Sequence, residues 1–154
     1  MKLLASVLLA LSFGCAAETL QGFVVDVHDG DTVKFNSNKE IFKIRLAYID
    51  APELNQLYGH DSKNSLMQLT RDKRVEAQCI GADRYGRRLC TLMVGTEDIN
   101  AMQVKRGMAW AYLRYAPKGT TLKGIQAEAM ERKRGLWSDP HPEAPWDYRR
   151  NARD

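Results

Sequence analysis

Three aspartates crowd into the stretch VVDVHDGDTVKF, at positions 26, 29 and 31, with Gly30 between the last two. Carboxylates grouped in this way suit a hard cation, which takes oxygen ligands. Downstream, RLAYIDAPE sets Arg45, Asp50 and Glu53 within nine residues, and DRYGRR adds Asp83, Arg84, Tyr85, Arg87 and Arg88. Phosphodiester chemistry needs what these segments supply together. Asp31 and Asp50 offer ligands for a cation. Glu53 is an ionised carboxylate at neutral pH and can serve as a base toward water. The arginines of both segments bring permanently charged planar forks that match phosphoryl oxygens.

Each pattern alone also has a plainer reading. Asp-Gly is the strongest short hairpin signal, and an exposed Arg–Glu pair is usually a weak surface ion pair. An EF-hand starting at Asp29 would need an oxygen ligand at position 33 and glycine at 34, where the chain has Val33 and Lys34. The histidines at 28, 60 and 141 have no zinc-ligand spacing and read as surface residues. The DGD segment therefore stays open between a simple turn and a turn that aims a carboxylate at a metal.

The elements that would position these groups follow from residue periodicity. Residues 20–27 and 32–35 read as strands flanking the DGD turn, and NSNKE reads as a second turn. In IFKIRLAYI, Phe42, Ile44, Leu46 and Tyr48 alternate with Lys43 and Arg45, and Pro52 ends the strand. Residues 59–73 have helical spacing. RVEAQCI and RLCTLMV read as strands joined by the hairpin GADRYGR. DINAMQVKRG predicts a short helix with Asp98 as N-cap and Gly107 past its end. TTLKGIQAEAMERKRG predicts another, stopped by Gly135, with Leu122, Ile125, Ala129 and Met130 as its buried stripe. The proline-bearing tail from Ser138 reads as extended or irregular. About five strands, with one helix after the third and two at the end, suggest a small β-barrel of the OB type.

With 154 residues, the chain is sized for one domain. Its 44% hydrophobic and 27% charged content is that of an ordinary globular protein. The first residues are different: Lys2, an apolar run from Leu3 to Phe13, then Gly14, Cys15, Ala16 and Ala17. This is the pattern of a secretory signal, too short to span a bilayer, with cleavage expected near Ala16 or Ala17. Residues 18–154 then form the single domain. A lipoprotein anchored through Cys15 is the weaker alternative, because Ser12 stands where such signals favour leucine. Cleavage removes Lys2 and no acid, so the net charge falls from +4 to +3, which permits an anionic partner. Cys79 and Cys90 remain, and an oxidising compartment makes a disulfide between them the expectation.

The ordered motifs DGDTVKF, IRLAYIDAPE, DRYGR and GLW resemble the staphylococcal nuclease (thermonuclease-like) family, over about Leu20 to Trp137. The resemblance implies an α+β fold, a five-stranded OB-fold β-barrel with three α-helices. It also implies a calcium-dependent endonuclease of low sequence specificity that acts on DNA and RNA and leaves 3′-phosphate ends. On that resemblance Asp31 and Asp50 are the Ca2+ carboxylates and Ala51 adds its main-chain carbonyl, standing where the family has threonine. Arg45, Glu53 and Arg87 match the catalytic trio. Arg84, Tyr85 and Tyr115 match substrate-binding positions, with arginine for lysine at 84. Leu113 replaces a further substrate-contacting tyrosine, with Tyr112 beside it, and Trp137 reads as a core anchor. An exported, periplasmic or secreted monomer with no stable membrane insertion is expected. The competing class is a non-catalytic OB-fold nucleic-acid-binding module, which would have no reason to keep the whole acidic and arginine set.

Overall fold

The first strand, β1 (Glu18–Val27), serves two neighbours in the computed structural model, which describes residues 18–153. The expected signal segment, residues 1–17, lies outside the described residues. The first half of β1 pairs antiparallel with β5 (Val75–Ala82), and its second half pairs with β2 (Thr32–Ser37). Gly22 sits at the changeover, where a Cβ would strike the Asn36 carbonyl. A register shift between Val24 and Asp26 marks a bulge that bends the strand further. Such devices turn a sheet into a barrel.

β2 continues into β3 (Glu40–Leu46) through Asn38 and Lys39, both at positive φ (52° and 70°), as a tight two-residue hairpin requires. After the two-residue β4 (Ile49–Asp50), α1 (Gly59–Thr70) leads to β5 and β6 (Arg88–Val94). The barrel closes where β6 pairs in parallel with β3, Leu46 opposite Cys90. The five long strands thus form a closed OB-fold barrel. β7 (Glu97–Asp98) pairs antiparallel with the end of β6 and leads directly into α2 (Ile99–Lys105), and β8 (Trp110–Ala111) pairs with β4. The last helices are α3 (Leu122–Glu131) and α4 (Pro145–Asn151).

The alternating apolar residues of the strands fill the interior. Val33, Phe35, Ile44, Leu46, Val75, Ala77 and Leu92 are buried there, capped by Leu66 and Leu69 of α1 and Ile99 and Val104 of α2. Asn100 fixes α2 to the barrel. Its amide donates to the Ala47 and Cys90 carbonyls, and its oxygen accepts the Leu92 N–H, so a buried polar group is fully satisfied. Cys79 and Cys90 lie opposite each other on β5 and β6, buried and joined by a disulfide.

Four details differ from the sequence expectation. The tail is not irregular throughout, because Pro145–Asn151 form a fourth helix. Proline fits the first turn of a helix, where its missing N–H costs nothing, and Arg149 and Arg150 in the last turn suit the helix dipole. Met130 is 47% exposed and so leaves the buried stripe of α3. That helix stops at Glu131, before Gly135, whose backbone instead packs on that of Gly107 too closely to admit a Cβ. Tyr48 does not continue β3: its φ of 64° breaks the strand. Trp137, as expected, is buried, stacked edge-on against Trp110 at 4.4 Å. His28, His60 and His141 are exposed. Among the described residues no helix is long and apolar enough to cross a membrane.

Candidate active site

Asp31 stands at the mouth of the barrel, just before β2. The preceding loop is shaped by Asp29, whose side chain accepts the Asp31 N–H at 3.0 Å, a local turn typical of aspartate. Gly30 is buried, and a Cβ there would run into the Ser62 side chain and the Ala51 methyl. The turn is thus glycine-dependent through close approach. Gln103, buried on α2, supports it from beneath by donating to the Gly30 and Ser62 carbonyls at 2.8 and 3.0 Å. With the loop so held, Asp31 Oδ2 accepts the Ala51 N–H at 2.7 Å and Oδ1 accepts the Thr32 hydroxyl at 3.0 Å.

The β2–β3 register places Arg45 opposite Thr32, beside Asp31. Ile44 and Leu46 enter the core, so Arg45 faces the other way, toward the carboxylates. The left-handed Tyr48 wraps the chain around its guanidinium, and Nη1 donates to the carbonyls of Leu46 (2.8 Å) and Ile49 (2.9 Å). Nη2 then lies 3.0 Å from Asp50 Oδ1 and 3.1 Å from Asp31 Oδ2. Three hydrogen-bond acceptors and the ion pair with Asp31 fix one guanidinium between two carboxylates, both buried.

Glu53 follows in the loop after Pro52, its side chain 38% exposed. Its partner comes from far along the chain. Arg149 on α4 donates to Glu53 Oε1 at 2.8 Å and grips both oxygens of Asp50, at 3.2 and 2.7 Å. Sequence reading missed Arg149 entirely, and missed Gln56 and Gln103. For Arg149 the sequence carried a signal for the helix, Pro145 at its start, but none for the arginine's distant partners.

Arg87 is held at the hairpin between β5 and β6. Asp83 accepts from Arg87 Nε at 2.7 Å and, through its other oxygen, from the backbone N–H groups of Tyr85 and Arg87. Arg87 and Arg45 line one cleft of about 290 Å3 with Tyr48, Asp83, Tyr112 and Tyr115. Arg84 and Tyr85 are at the hairpin tip. Arg84 bonds the Tyr85 hydroxyl at 2.7 Å, and the Tyr85 ring also lies 5.5 Å from the Arg87 guanidinium carbon. The structure therefore joins Asp31, Arg45, Asp50 and Glu53 in one network and brings Arg87 and Tyr115 to the same cleft. It leaves Arg84 and Tyr85 at the exposed hairpin tip, with Leu113 and Tyr115 also exposed.

The electrostatics follow from burial. It pushes the Asp31 carboxyl up to about 6, against the pull of Arg45, with Asp29 adding to the rise. Burial also raises Asp50, while the hydrogen bonds from Arg149 oppose the rise. Those bonds hold the Arg149 guanidinium charged. At Asp83 burial pulls upward, but hydrogen bonds from Arg87 and the hairpin N–H groups win and keep the carboxyl low.

Three carboxyl groups face two guanidiniums in this cluster. The donor set is hard oxygen, and Asp31 Oδ1 and Asp50 Oδ2 each accept only one hydrogen bond, which leaves each a lone pair free. A cation such as Ca2+ fits that donor chemistry. Among the described residues no three His, Cys, Asp or Glu side chains converge as a ready cage. A bound ion would therefore depend on two carboxylates, main-chain oxygen and water.

Comparison with known proteins identifies the family. A family model described as Staphylococcal nuclease homologue matches residues 43–139. The chain is 36% identical to a Micrococcal nuclease of Shigella flexneri, over 97% of this chain and 91% of that protein. It is 39% identical to an Uncharacterized endonuclease of Haemophilus influenzae, over 98% and 86%. It is 37% identical to an Uncharacterized endonuclease of Escherichia coli O157:H7, over 96% and 97%. With the motifs, the closed barrel and these relatives in agreement, the chain belongs to the staphylococcal nuclease family.

Proposed function

We propose that this chain is an exported, calcium-dependent endonuclease that hydrolyses DNA and RNA with little sequence specificity and leaves 3′-phosphate ends. The observation that carries the reading is Arg45 clamped between buried Asp31 and Asp50, with Glu53 beside them and Arg87 across the shared cleft. Family membership and the nucleases and endonucleases among the relatives support it.

Asp31, Asp50 and the Ala51 carbonyl would hold Ca2+. Bound there, the ion would supply Lewis-acid polarisation and positive charge. Glu53 is the base toward water. Its Oε1 carries the Arg149 hydrogen bond, which leaves Oε2 to take the proton. Arg45 keeps a fixed positive charge beside the scissile phosphate, with no reorganisation needed, because three hydrogen bonds and the ion pair with Asp31 already orient it. Arg87, aimed by Asp83, places its guanidinium toward the departing 5′ oxygen. Low specificity follows because arginines bind phosphate and the exposed rings of Tyr85 and Tyr115 stack on any base.

Export is supported by the signal-like first residues and by a disulfide, a bond that persists in oxidising compartments. The test is direct. Purified protein is incubated with DNA or RNA, with calcium or with chelator, and the product ends are identified. Calcium-dependent cleavage of both polymers to 3′-phosphates is expected. Binding without cleavage would instead make the chain a nucleic-acid-binding barrel.

A further inference from the structure

We infer that Arg149 is a positioning residue that sets Glu53 in its working orientation, and that α4 is consequently part of the active site. This rests on Glu53 being the base, as proposed above. Glu53 has little else to fix it. Its side chain is 38% exposed, it lies in a loop rather than on a helix or strand, and among the described residues its one side-chain hydrogen bond is to Arg149. A carboxylate in that situation samples several rotamers, whereas general-base transfer needs one within hydrogen-bonding reach of the water. The fork supplies the constraint. Arg149 binds Glu53 Oε1 with one nitrogen while the same guanidinium grips both oxygens of Asp50, whose side chain is only 4% exposed. Because guanidinium is planar and rigid, fixing it on a buried carboxylate fixes the direction it offers to Glu53.

The carrier is anchored for this task. Trp146, three residues before Arg149 and on the same face of α4, packs against Trp110 at 5.4 Å and Tyr112 at 5.7 Å. Trp110 is the strand partner of Asp50 in the β4–β8 pair. The helix is therefore docked on the ladder that carries the carboxylate its arginine grips. A second tether reaches the Glu53 backbone. Gln56 accepts the Glu53 N–H at 3.2 Å and donates to the Glu143 carbonyl, just ahead of α4, at 2.7 Å. Main chain and side chain of Glu53 are both referenced to the same C-terminal segment.

The experiment compares full-length wild type with Arg149→Ala, Arg149→Lys and Trp146→Ala, and repeats Arg149→Ala in a Glu53→Gln background. The readouts are kcat and KM for DNA at saturating calcium, calcium binding by calorimetry, and melting temperature. Arg149→Ala is expected to lower kcat about tenfold or more with KM within about threefold, since an interaction that acts on the transition state is lost. Calcium binding should be no weaker, because a neighbouring positive charge has gone. Arg149→Lys should recover only part of kcat, because an ammonium cannot span both carboxylates. Trp146→Ala should lower kcat in the same direction. In the Glu53→Gln background the Arg149 substitution should cost almost nothing further, a coupling that a merely structural role would not produce.

Unchanged kcat in Arg149→Ala overturns the inference, as does an equal loss in both backgrounds. Faster cleavage by Arg149→Ala at low calcium also overturns it, by showing a latch that competes with the cation. A wild-type protein that binds nucleic acid without cutting it refutes the functional reading itself, a separate result from an active wild type indifferent to Arg149.

Discussion

Replacing Asp31 with asparagine should stabilise the calcium-free protein at neutral pH, although it removes a proposed metal ligand. The carboxyl titrates near 6 in the folded chain against a reference of 3.8, because burial outweighs Arg45. A group raised in the folded state favours folding when protonated. Its penalty is absent below the unfolded value near 3.8 and fully imposed as pH rises through 6. The shift is about two units at about 1.4 kcal/mol each, so the ionised form costs the fold about 3 kcal/mol at pH 7. Asparagine escapes that cost. Its oxygen can still accept from Ala51, and its amide can donate to the Thr32 hydroxyl, which rotates to accept. The pull of Arg45 is already contained in that net shift. The second amide hydrogen of asparagine, buried without an acceptor, offsets about 1–2 kcal/mol of the gain, leaving a net of about 1–2 kcal/mol. For a chain of this size that is roughly 3–8 °C in melting temperature. The assay is thermal melting of both proteins in chelator at pH 7 and pH 4, then with calcium at pH 7. Asp31→Asn should melt higher in chelator at pH 7, the gap should shrink or reverse by pH 4, and calcium should stabilise wild type alone. A variant that melts lower than wild type in chelator at pH 7, or a gap independent of pH, would refute the argument.

Glu53→Gln should lower turnover about a hundredfold or more while leaving the melting temperature nearly unchanged, since glutamine still accepts from Arg149; a variant within a few-fold of wild type in a cleavage assay removes Glu53 as base. Reducing the Cys79–Cys90 disulfide, which closes a loop of separation 11, should cost about 2–3 kcal/mol by chain entropy. A melt with and without reductant checks this, and identical transitions would show that the bridge adds no stability. Gly30→Ala should cost about 1–3 kcal/mol through overpacking against Ser62 and Ala51. Its denaturant midpoint should fall, and an unchanged midpoint would mean that the loop yields easily.

The sequence by itself determined the barrel and half of the candidate site. Period-two alternation in β3 marked Ile44 and Leu46 as core residues, and Asp98 and Gly107 bracketed α2, because these are local signals read within a few residues. Arg45, Asp50 and Glu53 were legible as one constellation because nine residues of chain carry them all. What only tertiary structure decided is how the acids are held. Arg45 meets Asp31 through cross-strand register, and the turn at Tyr48 that gives it two carbonyls follows no alternation. Gln103 supports Gly30 across 73 positions, and Arg149 reaches Asp50 and Glu53 across 99 and 96. An ion pair between distant positions leaves no periodicity at either end, so an arginine in a short proline-led tail looks like any solvated charge. Its partner exists only once the barrel has closed, β8 has paired with β4, and Trp146 has docked on the face they make.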